Sequence, residues 1–569
     1  MTASPPSSRN GSPWLGPLAE AMAEALPRLY GAAPDPLLRE LIVALTAALE
    51  RGELELPLQG PPPDGVSFAH WPAAHRAALE RSGLAAALDE AGDPPSPLVV
   101  TAAGGIAWRR WHEELQRLLT ALQERALAPL AEPIPAVDQR KAVAEACRRG
   151  ALDRQQQRAV EALLRHRLVL LGGGPGTGKT STVVQMLATA LGLSPQLRVG
   201  LSAPTGKAAA RLKLAIEDRC RALPEVLGAA LLALPCGTLH RLLESQGDGF
   251  ARNRQNPLAI DLLVVDEVSM LDLSLATALI EALPEQSQLL LVGDPAQLPP
   301  VAPGAILAEL HQPECWSRLG EAAVELSTPY RNQGAIAAVA NLLRQGDQPG
   351  VLARLQQLSP GDNLAWLCCP TPRLPAELVE RMRAKQQELR ALALAFTSDE
   401  PSSGQALLRH LEAFIVLSPL RRGPWGVEEL NRRLLGPLSS RDPAGWPPGT
   451  PVICTRNQND EGLSNGDLGV IVQAAERAVL FPGSRGEPAG ASSLKLVHPA
   501  RLEGAEAAYA LTIHKAQGSE YQEVWLLFPK TEHPDIRSLY TGLTRAREQA
   551  VLVTPPEPGW LLERDPVLG

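Results

Sequence analysis

A glycine-rich stretch between residues 168 and 182 constrains the fold more than any other feature of the chain. It reads LVLLGGGPGTGKTST, and residues 183–191 continue with a helical pattern. Residues 173–180 fit G-x-x-x-x-G-K-[ST], in which residues without a Cβ let backbone N–H groups wrap around a polyphosphate. The N-terminus of the following helix adds partial positive charge. The sequence therefore predicts a P-loop between a buried strand and a helix.

This P-loop predicts contacts for ATP and Mg²⁺. Lys179 would reach the β- and γ-phosphates, and Thr180 would hold Mg²⁺ through its hydroxyl. Gln157 is the candidate residue for recognising adenine, because an amide side chain both donates and accepts hydrogen bonds. Three glutamines stand in a row, so the residue could be one position away. A plain surface helix is the alternative. Besides Gln157, the predicted nucleotide contacts are Gly173, Gly174, Pro175, Gly176, Thr177, Gly178, Lys179, Thr180 and Ser181.

Length and composition narrow the class of protein. A chain of 569 residues has room for roughly three or four domains. The net charge of −8 argues against a surface coated in basic residues, but it allows nucleic acid in a local groove. Seven cysteines without C-x-x-C spacing argue against a zinc site and favour a reducing compartment. Because the polar start lacks an apolar signal core and no stretch approaches the roughly 20 apolar residues of a membrane span, we expect a cytoplasmic protein without a membrane partner.

Short apolar runs alternate with helical patterns after the P-loop, at residues 199–204, 262–265 and 289–292. This pattern is typical of a parallel sheet covered on both faces, and ligands of such sheets lie beyond the carboxyl ends of the strands. There Asp266 would hold the metal, Glu267 would orient or deprotonate the attacking water, and Gln297 would sense the γ-phosphate. Arg331 follows another apolar stretch and is a candidate arginine finger, with a solvated surface charge as the alternative.

The N-terminal region contains no catalytic constellation. Residues 15–124 have a mainly helical pattern, and a proline-spaced linker follows at 129–135. Trp108, Trp111 and His112 fit an aromatic helix face packed into a core better than a binding box. We expect a docking domain here.

Eight segments form an ordered set: residues 173–182 and then LSAPTGKAAARL (201–212), GTLHRL (237–242), VVDEVSM (264–270), VGDPAQLPP (292–300), PYR (329–331), LTIHKAQGSEY (511–521) and YTGLTRAR (540–547). In this order they resemble the motifs of superfamily-one helicases, most closely those of the RecD family, the alpha subunits of exodeoxyribonuclease V. The resemblance extends from about residue 150 to 555 and covers the N-terminal region only loosely.

The resemblance implies an α/β fold with two RecA-like P-loop motor domains, a helical N-terminal domain and a small SH3-like β-barrel insert. Short predicted strands at 450–455, 467–472 and 494–498 agree with such an insert. The expected domains are an N-terminal docking domain at 1–125, a first motor at 136–340, a second motor at 341–435 and 505–569, and the insert at 436–504.

The same resemblance implies an activity. ATP hydrolysis would drive 5′→3′ movement along single-stranded DNA, in a subunit of a RecBCD-like heterotrimer that includes RecB-like and RecC-like chains, binds single-stranded and tailed duplex DNA, and acts in double-strand-break repair and recombination. Arg545 would complete the ATP site from the second motor, and Phe250 is a candidate duplex wedge, with a plain exposed loop as the alternative. The implied DNA contacts are Thr205, Gly206, Lys207, His240, Thr512, His514 and Lys515.

Two other functions stay open. A stand-alone RecD-like helicase would carry a helix-hairpin-helix pattern in its N-terminal region, and residues 1–150 show no good match to one. A regulatory subunit would bind ATP and report DNA engagement to a partner. The intact set of candidate catalytic residues argues against an inactive ATPase. It does not distinguish an enzyme that unwinds DNA from a regulatory subunit that uses ATP as a switch.

Overall fold

The computed structural model describes residues 17–556 apart from 64–65, 67–69, 88–94, 248, 329–333, 441, 459, 475, 484–493 and 530–534. Two parallel sheets covered by helices form the frame of the molecule, together with a small antiparallel sheet and an N-terminal segment. Within these residues, no helix is both long and apolar enough to cross a membrane.

The N-terminal segment combines helices with a small sheet. Its elements are α1 (Pro17–Leu29), α2 (Pro36–Glu50), β1 (Glu55–Leu56), α3 (Ala73–Ser82), β2 (Ala85–Ala87), β3 (Leu98–Val100), β4 (Ile106–Trp108) and α4 (Arg109–Leu127). The strands pair in the order β1-β4-β3-β2. The expectation of a helical domain missed this sheet because strands of two or three residues are too short to show an alternating pattern. Trp108 is buried and meets Trp111 edge to face at 6.3 Å, as expected for core packing.

Helix α4 packs as part of the neighbouring α/β unit. Leu118 and Leu122 are buried in the same core as Leu170, which lies on the strand that leads into the P-loop. Arg125 Nη1 donates to the carbonyl of Ser287 at 2.6 Å. The domain boundary expected at residue 125 therefore falls inside a helix whose apolar face completes the core of the next unit.

The first lobe, residues 136–328, is built on a six-stranded parallel sheet. Its elements are α5 (Ala136–Gly150), α6 (Arg154–Leu163), β5 (Leu168–Gly173), α7 (Lys179–Leu193), β6 (Val199–Ala203), α8 (Gly206–Cys220), α9 (Glu225–Leu232), β7 (Cys236–Thr238), α10 (Leu239–Leu242), β8 (Ser245–Gln246), β9 (Gly249–Phe250), β10 (Leu262–Val265), α11 (Leu273–Ala282), β11 (Gln288–Gly293), α12 (Ile306–Leu310), α13 (Pro313–Leu319) and β12 (Ala323–Leu326). The sheet order is β12-β5-β11-β10-β6-β7, and β8 and β9 form a separate hairpin. The strands expected from the apolar runs are confirmed.

The strand order brings distant residues to one edge of the first sheet. β11 lies between β5 and β10, with Gly293 paired to Gly172 and Leu291 paired to Val265. Because parallel strands end at the same edge, the P-loop and the residues after β10 and β11 share one crevice.

The second lobe, the described residues of 335–435 and 508–556, contains a five-stranded parallel sheet. Its elements are α14 (Ala335–Arg344), α15 (Gln348–Gln356), β13 (Leu364–Cys368), α16 (Ala376–Leu394), α17 (Pro401–Leu411), β14 (Phe414–Ser418), α18 (Val427–Leu435), β20 (Ala510–Thr512), β21 (Tyr521–Leu527), α19 (Ile536–Leu543) and β22 (Ala546–Thr554). The sheet order is β13-β22-β21-β14-β20. The boundary expected between residues 340 and 341 falls inside α14, whose apolar face packs in the core of this lobe.

The insert, the described residues of 436–507, interrupts the second lobe. Its strands are β15 (Pro451–Cys454), β16 (Leu468–Gln473), β17 (Arg477–Pro482), β18 (Leu494–Val497) and β19 (Ala505–Ala507). They form an antiparallel sheet in the order β18-β17-β16-β15-β19 around a core that includes Trp446 and Phe481. The last strand, β19, lies wholly beyond the limit expected at residue 504, and it belongs to the insert because it pairs with β15.

Candidate nucleotide site and DNA-facing surface

The P-loop is a tight turn that only glycine permits at its start. Gly173, Gly176 and Gly178 have φ angles of +156°, +74° and +86°. A Cβ on Gly173 would lie 2.7 Å from Thr177 Oγ1 and 2.9 Å from Leu326 O, which is too close for any other residue. The Thr177 hydroxyl donates to the carbonyl of Gly174 at 2.8 Å and holds the loop in shape.

Lys179 is directed across this loop. It is the first residue of α7, and its Nζ donates to the carbonyls of Gly173 at 2.5 Å and Gly174 at 3.0 Å. Thr180 follows it at the start of the same helix. Ser181 is turned toward α8, where its hydroxyl accepts from Arg219 Nε at 2.8 Å.

Asp266 and Glu267 follow β10 at the same edge. Asp266 N donates to Ser202 O at 2.9 Å, and Asp266 Oδ1 accepts from Glu267 N at 2.9 Å. Burial, reinforced by the neighbouring Glu267 carboxylate, raises the pKa of Asp266 to about 6. Glu267 has φ 53° and ψ 43°, a left-handed conformation that costs roughly 1–3 kcal/mol outside glycine and is concentrated at functional sites.

Gln297 follows β11 and faces a buried carboxylate that the sequence analysis did not single out. Gln297 Nε2 donates to Asp294 Oδ2 at 3.3 Å, while its buried Oε1 has no hydrogen-bond partner among the described residues. Asp294 is fully buried, which raises its pKa, and it accepts from the Tyr540 hydroxyl at 2.8 Å. Asp294 is the first polar residue after β11, the same kind of position that identified Asp266, and that signal could have found it.

The two lobes are joined at this edge. Tyr540 lies on α19 of the second lobe, so its bond to Asp294 crosses the cleft. Leu298 N donates to Thr541 Oγ1 at 2.9 Å, and Gln517 Nε2 donates to Leu298 O at 2.9 Å. The crevice is therefore closed on one side by the second lobe.

Arg545, expected to complete the site from the second lobe, is buried with its hydrogen bonds inside that lobe. Its Nε donates to Thr541 O at 3.1 Å, and its Nη1 donates to Ser519 O at 3.2 Å. Arg331 lies outside the described residues.

Arg211 was not found from the sequence. It lies on α8, and burial lowers its pKa to about 10 despite the opposing charges of Glu267 and Asp266. Its guanidinium pairs with Glu520 of the second lobe.

The structure places the three consecutive glutamines in different environments. Gln156 completes a capping box with Asp153 at the start of α6, and Gln157 Nε2 donates to Glu161 on the same helix at 2.8 Å. Gln155 instead exchanges hydrogen bonds with Ser327, just after the strand beside the P-loop strand. Helix phase thus directs Gln155 to the residue after β12 and Gln157 along its own helix.

The expected DNA contacts on the first lobe lie in a seam with the insert. Thr205 caps α8, its Oγ1 accepting from Ala208 N at 3.2 Å. A Cβ on Gly206 would lie 2.5 Å from Ser464 Oγ of the insert. Lys207 Nζ lies 5.6 Å from the centre of the Tyr521 ring, and burial lowers its pKa to about 8.

The other expected DNA contacts lie elsewhere. Thr512, His514 and Lys515 line a groove of about 2390 Å³ that also borders the N-terminal segment, the first lobe and the insert. Burial lowers the pKa of His514, and Lys515 Nζ pairs with Glu506 at 2.7 Å. His240 packs against the Phe250 ring, with the ring centres 5.9 Å apart.

Comparison with known proteins assigns the family. Residues 156–303 match the family described as AAA domain, and residues 507–553 match the UvrD-like helicase C-terminal domain. The chain is 36% identical over 421 residues to the RecBCD enzyme subunit RecD of Mycolicibacterium smegmatis, covering 71% of both chains. The chain belongs to the RecD family. The RecD subunit of Mycobacterium tuberculosis is 37% identical over 70% of this chain and 68% of its own length.

Other relatives of this RecD-family chain are more distant. The ATP-dependent RecD2 DNA helicase of Deinococcus radiodurans is 34% identical over 72% of this chain and 50% of its own length. Among solved structures, Bacteroides Pif1 bound to single-stranded DNA has a TM-score of 0.36 at 17% identity, covering 70% and 92% of the two chains. Pif1 helicase from Candida albicans has a TM-score of 0.37 at 16% identity, covering 73% and 98%.

The crevice of this RecD-family chain fits ATP with a magnesium ion. Three glycines of the P-loop have positive φ, which is the backbone geometry of a phosphate-binding turn, and Gln297 Oε1 is a buried acceptor without a partner in the described part of the chain. The described residues contain no group of three or more His, Cys, Asp or Glu side chains able to hold a metal. Mg²⁺ keeps several waters and binds through one or two carboxylates plus substrate phosphates, so Thr180 and Asp266 suit it.

Proposed function

We propose that this chain couples ATP hydrolysis to 5′→3′ movement along single-stranded DNA, as the RecD-like subunit of a RecBCD-like helicase–nuclease in double-strand-break repair and recombination. The observation that carries the proposal is the position of the ATP crevice at the junction of two parallel-sheet lobes, where Tyr540 of one lobe bonds Asp294 of the other. A nucleotide in this crevice can therefore change how the lobes meet.

Each candidate catalytic residue has a separate role. Lys179 would bind the β- and γ-phosphates, Glu267 would orient or deprotonate the attacking water, and Gln297 would sense the γ-phosphate. Arg331 and Arg545 would stabilise the charge that develops in the transition state, Arg545 after turning from its present partners. Mg²⁺, held by Thr180 and Asp266, would neutralise charge on the phosphate oxygens.

DNA contacts on both sides of the cleft would convert closure into stepping. Thr205, Gly206, Lys207 and His240 would hold the strand on the first lobe, and Thr512, His514 and Lys515 would hold it on the second. Because Gly206 lies against Ser464, we infer that the insert moves when DNA binds.

The domain assignment follows the same proposal. The proposed first motor is the first lobe, residues 136–328, the proposed second motor is the second lobe, the described residues of 335–435 and 508–556, and the antiparallel sheet of the insert is the SH3-like unit. The N-terminal region docks the chain to RecB-like and RecC-like partners in the cytoplasm.

The test combines ATP hydrolysis with unwinding. We expect single-stranded DNA to stimulate hydrolysis, and duplexes with a 5′ tail, but not a 3′ tail, to be unwound by the full chain, alone or with its partner subunits. Lys179→Gln should reduce hydrolysis at least about a hundredfold with unchanged thermal unfolding, because it removes the charge on the phosphates. The exposed Lys141→Gln is the matched control. Full hydrolysis by Lys179→Gln would contradict the P-loop assignment.

A regulatory subunit that reports DNA engagement is the second candidate. The contact of Ser464 with Gly206 favours it, because that contact covers expected DNA contacts. DNA-stimulated hydrolysis without unwinding of either tailed duplex, even with the partner subunits present, would select this function.

A further inference from the structure

Helix α14 of the second lobe places the guanidinium of Arg344 beside the P-loop of the first lobe. Ile336, Val339 and Leu343 of this helix are buried in the same core as Leu539 of α19, so the helix moves with the second lobe. Its last residue, Arg344, reaches back to the first lobe.

Arg344 lies beside the peptide that Lys179 also contacts. The position of a Cβ on Gly174 is 3.1 Å from Arg344 Nη1 and 3.2 Å from the Tyr540 hydroxyl. The Gly174 carbonyl accepts from Lys179 Nζ at 3.0 Å. Since Lys179 in this motif reaches the β- and γ-phosphates, Arg344 is within a side-chain movement of the same phosphates.

The present partner of Arg344 is a carboxylate that is only partly satisfied. Arg344 Nη2 lies 3.2 Å from Glu325 Oε1. The other oxygen, Glu325 Oε2, is buried without a hydrogen-bond partner among the described residues and lies 3.5 Å from His311 Nε2. His311 Nδ1 contacts the Leu307 carbonyl at 2.8 Å, and a neutral ring that donates there has no proton on Nε2.

This pairing leaves Arg344 available to a better anion. A single contact to a carboxylate is weaker than the paired hydrogen bonds that a guanidinium forms with phosphate. A triphosphate would bring more negative charge to the Gly174 side of the loop than Glu325 offers. Glu325 lies on β12 of the first lobe, so a shift of Arg344 from carboxylate to phosphate changes a contact between the lobes.

We propose that Arg344 is a further phosphate-binding residue of the ATP site, delivered across the cleft by α14 and held by Glu325 when no triphosphate is bound. Through this residue the second lobe distinguishes ATP from ADP. The inference rests on the proposed function for its site and adds a residue to which no role has been assigned.

The test compares variants whose effects should have opposite signs. In the full chain with Mg²⁺, Arg344→Gln should weaken binding of a fluorescent non-hydrolysable ATP analogue about tenfold and change binding of fluorescent ADP less than about twofold. Glu325→Gln should bind the analogue at least as tightly as the wild type, because it releases Arg344. The double variant should behave like Arg344→Gln, and Arg344→Lys should lie between the two. Arg354→Gln is the matched control. Arg354 lies on the next helix, α15, and also pairs with an acid, Asp362, at 3.6 Å.

A purely structural ion pair gives a different result. Arg344→Gln and Glu325→Gln would then lower thermal stability together and weaken both nucleotides equally, which would overturn the inference. Unchanged affinity of Arg344→Gln for the analogue would also overturn it. Failure of the proposed function is distinguishable, because a wild type that binds the analogue but shows no DNA-stimulated hydrolysis or unwinding leaves the Arg344 comparison valid.

Discussion

Burial of charge controls the chemistry at the scale of single residues. Asp266 and Asp294 each follow directly after one of two neighbouring strands of the first sheet, β10 and β11. Burial raises the pKa of both carboxyl groups. Asp294 accepts hydrogen bonds from Tyr540, Gln297 and the backbone N–H of Ala296. Asp266 accepts one bond from the adjacent backbone and faces the like charge of Glu267, which suits a group that awaits a cation.

Asp266 should give hydrolysis and stability opposite pH dependences. Its folded pKa of about 6 lies above its ordinary value, so its stabilising contribution is present at low pH and is lost as pH rises through about 6. Hydrolysis needs the carboxylate and should fall at the acidic pH that protonates Asp266 in the presence of Mg²⁺. Asp266→Asn should abolish hydrolysis and raise stability at pH 8 by roughly 1–3 kcal/mol, with little change at pH 4. Thermal unfolding at both pH values checks this, with the exposed Asp138→Asn as control. A loss of stability at pH 8 would contradict the assignment.

Helix α19 links the lobes at the scale of elements. Its buried face lies in the core of the second lobe with α14, and Tyr540 and Thr541 on the same helix bond the loop after β11. A shift of α19 therefore acts directly on the residues beside Gln297.

Removing the Tyr540 hydroxyl should uncouple the lobes. Tyr540→Phe leaves the buried Asp294 short of one donor, which should cost about 1–3 kcal/mol of stability. We expect a larger relative loss of DNA-stimulated than of basal hydrolysis. Tyr509→Phe is the matched control, because that buried tyrosine bonds Thr450 and Gln386 away from the cleft. Equal effects of the two variants on DNA stimulation would argue against a coupling role for Tyr540.

At the scale of the whole molecule, helix α4 connects the N-terminal segment, which has a core of its own, to the core of the first lobe. Helix α4 follows the small N-terminal sheet directly, and its leucines pack with the P-loop strand. A docking surface in this segment would therefore be connected to the first lobe through α4, and removal of residues 1–125 would open the core of the first lobe.

Substitution of a single leucine on α4 should test the connection between this helix and the first lobe. Leu118→Ala should lower the free energy of unfolding by about 2–5 kcal/mol because it leaves a cavity in the core of the first lobe. Arg117→Ala, on the exposed face of the same helix, should change it by less than about 0.5 kcal/mol. Chemical denaturation followed by intrinsic fluorescence, with bound fluorescent ADP reporting on the first lobe, measures both. Loss of N-terminal structure without loss of ADP binding would show that the two parts unfold separately.

The features that the sequence determined by itself are local or repeat along the chain. The P-loop needs glycine at positions of positive φ, and strands buried on both faces need continuous apolar runs, so both are visible without the fold. The same runs located Asp266, the first polar residue after β10, and Gln297 in the loop after β11, because residues that follow such strands lie at the ligand edge.

Only the tertiary structure decided which distant side chains meet. Asp294 and Tyr540 are separated by 246 positions in the chain, and Arg344 reaches the P-loop only because α14 packs on α19. The different partners of the three consecutive glutamines depend on the phase of α6 against β12, which brings Gln155 to Ser327. Contacts of this kind result from packing between elements, and no spacing within a single segment encodes them.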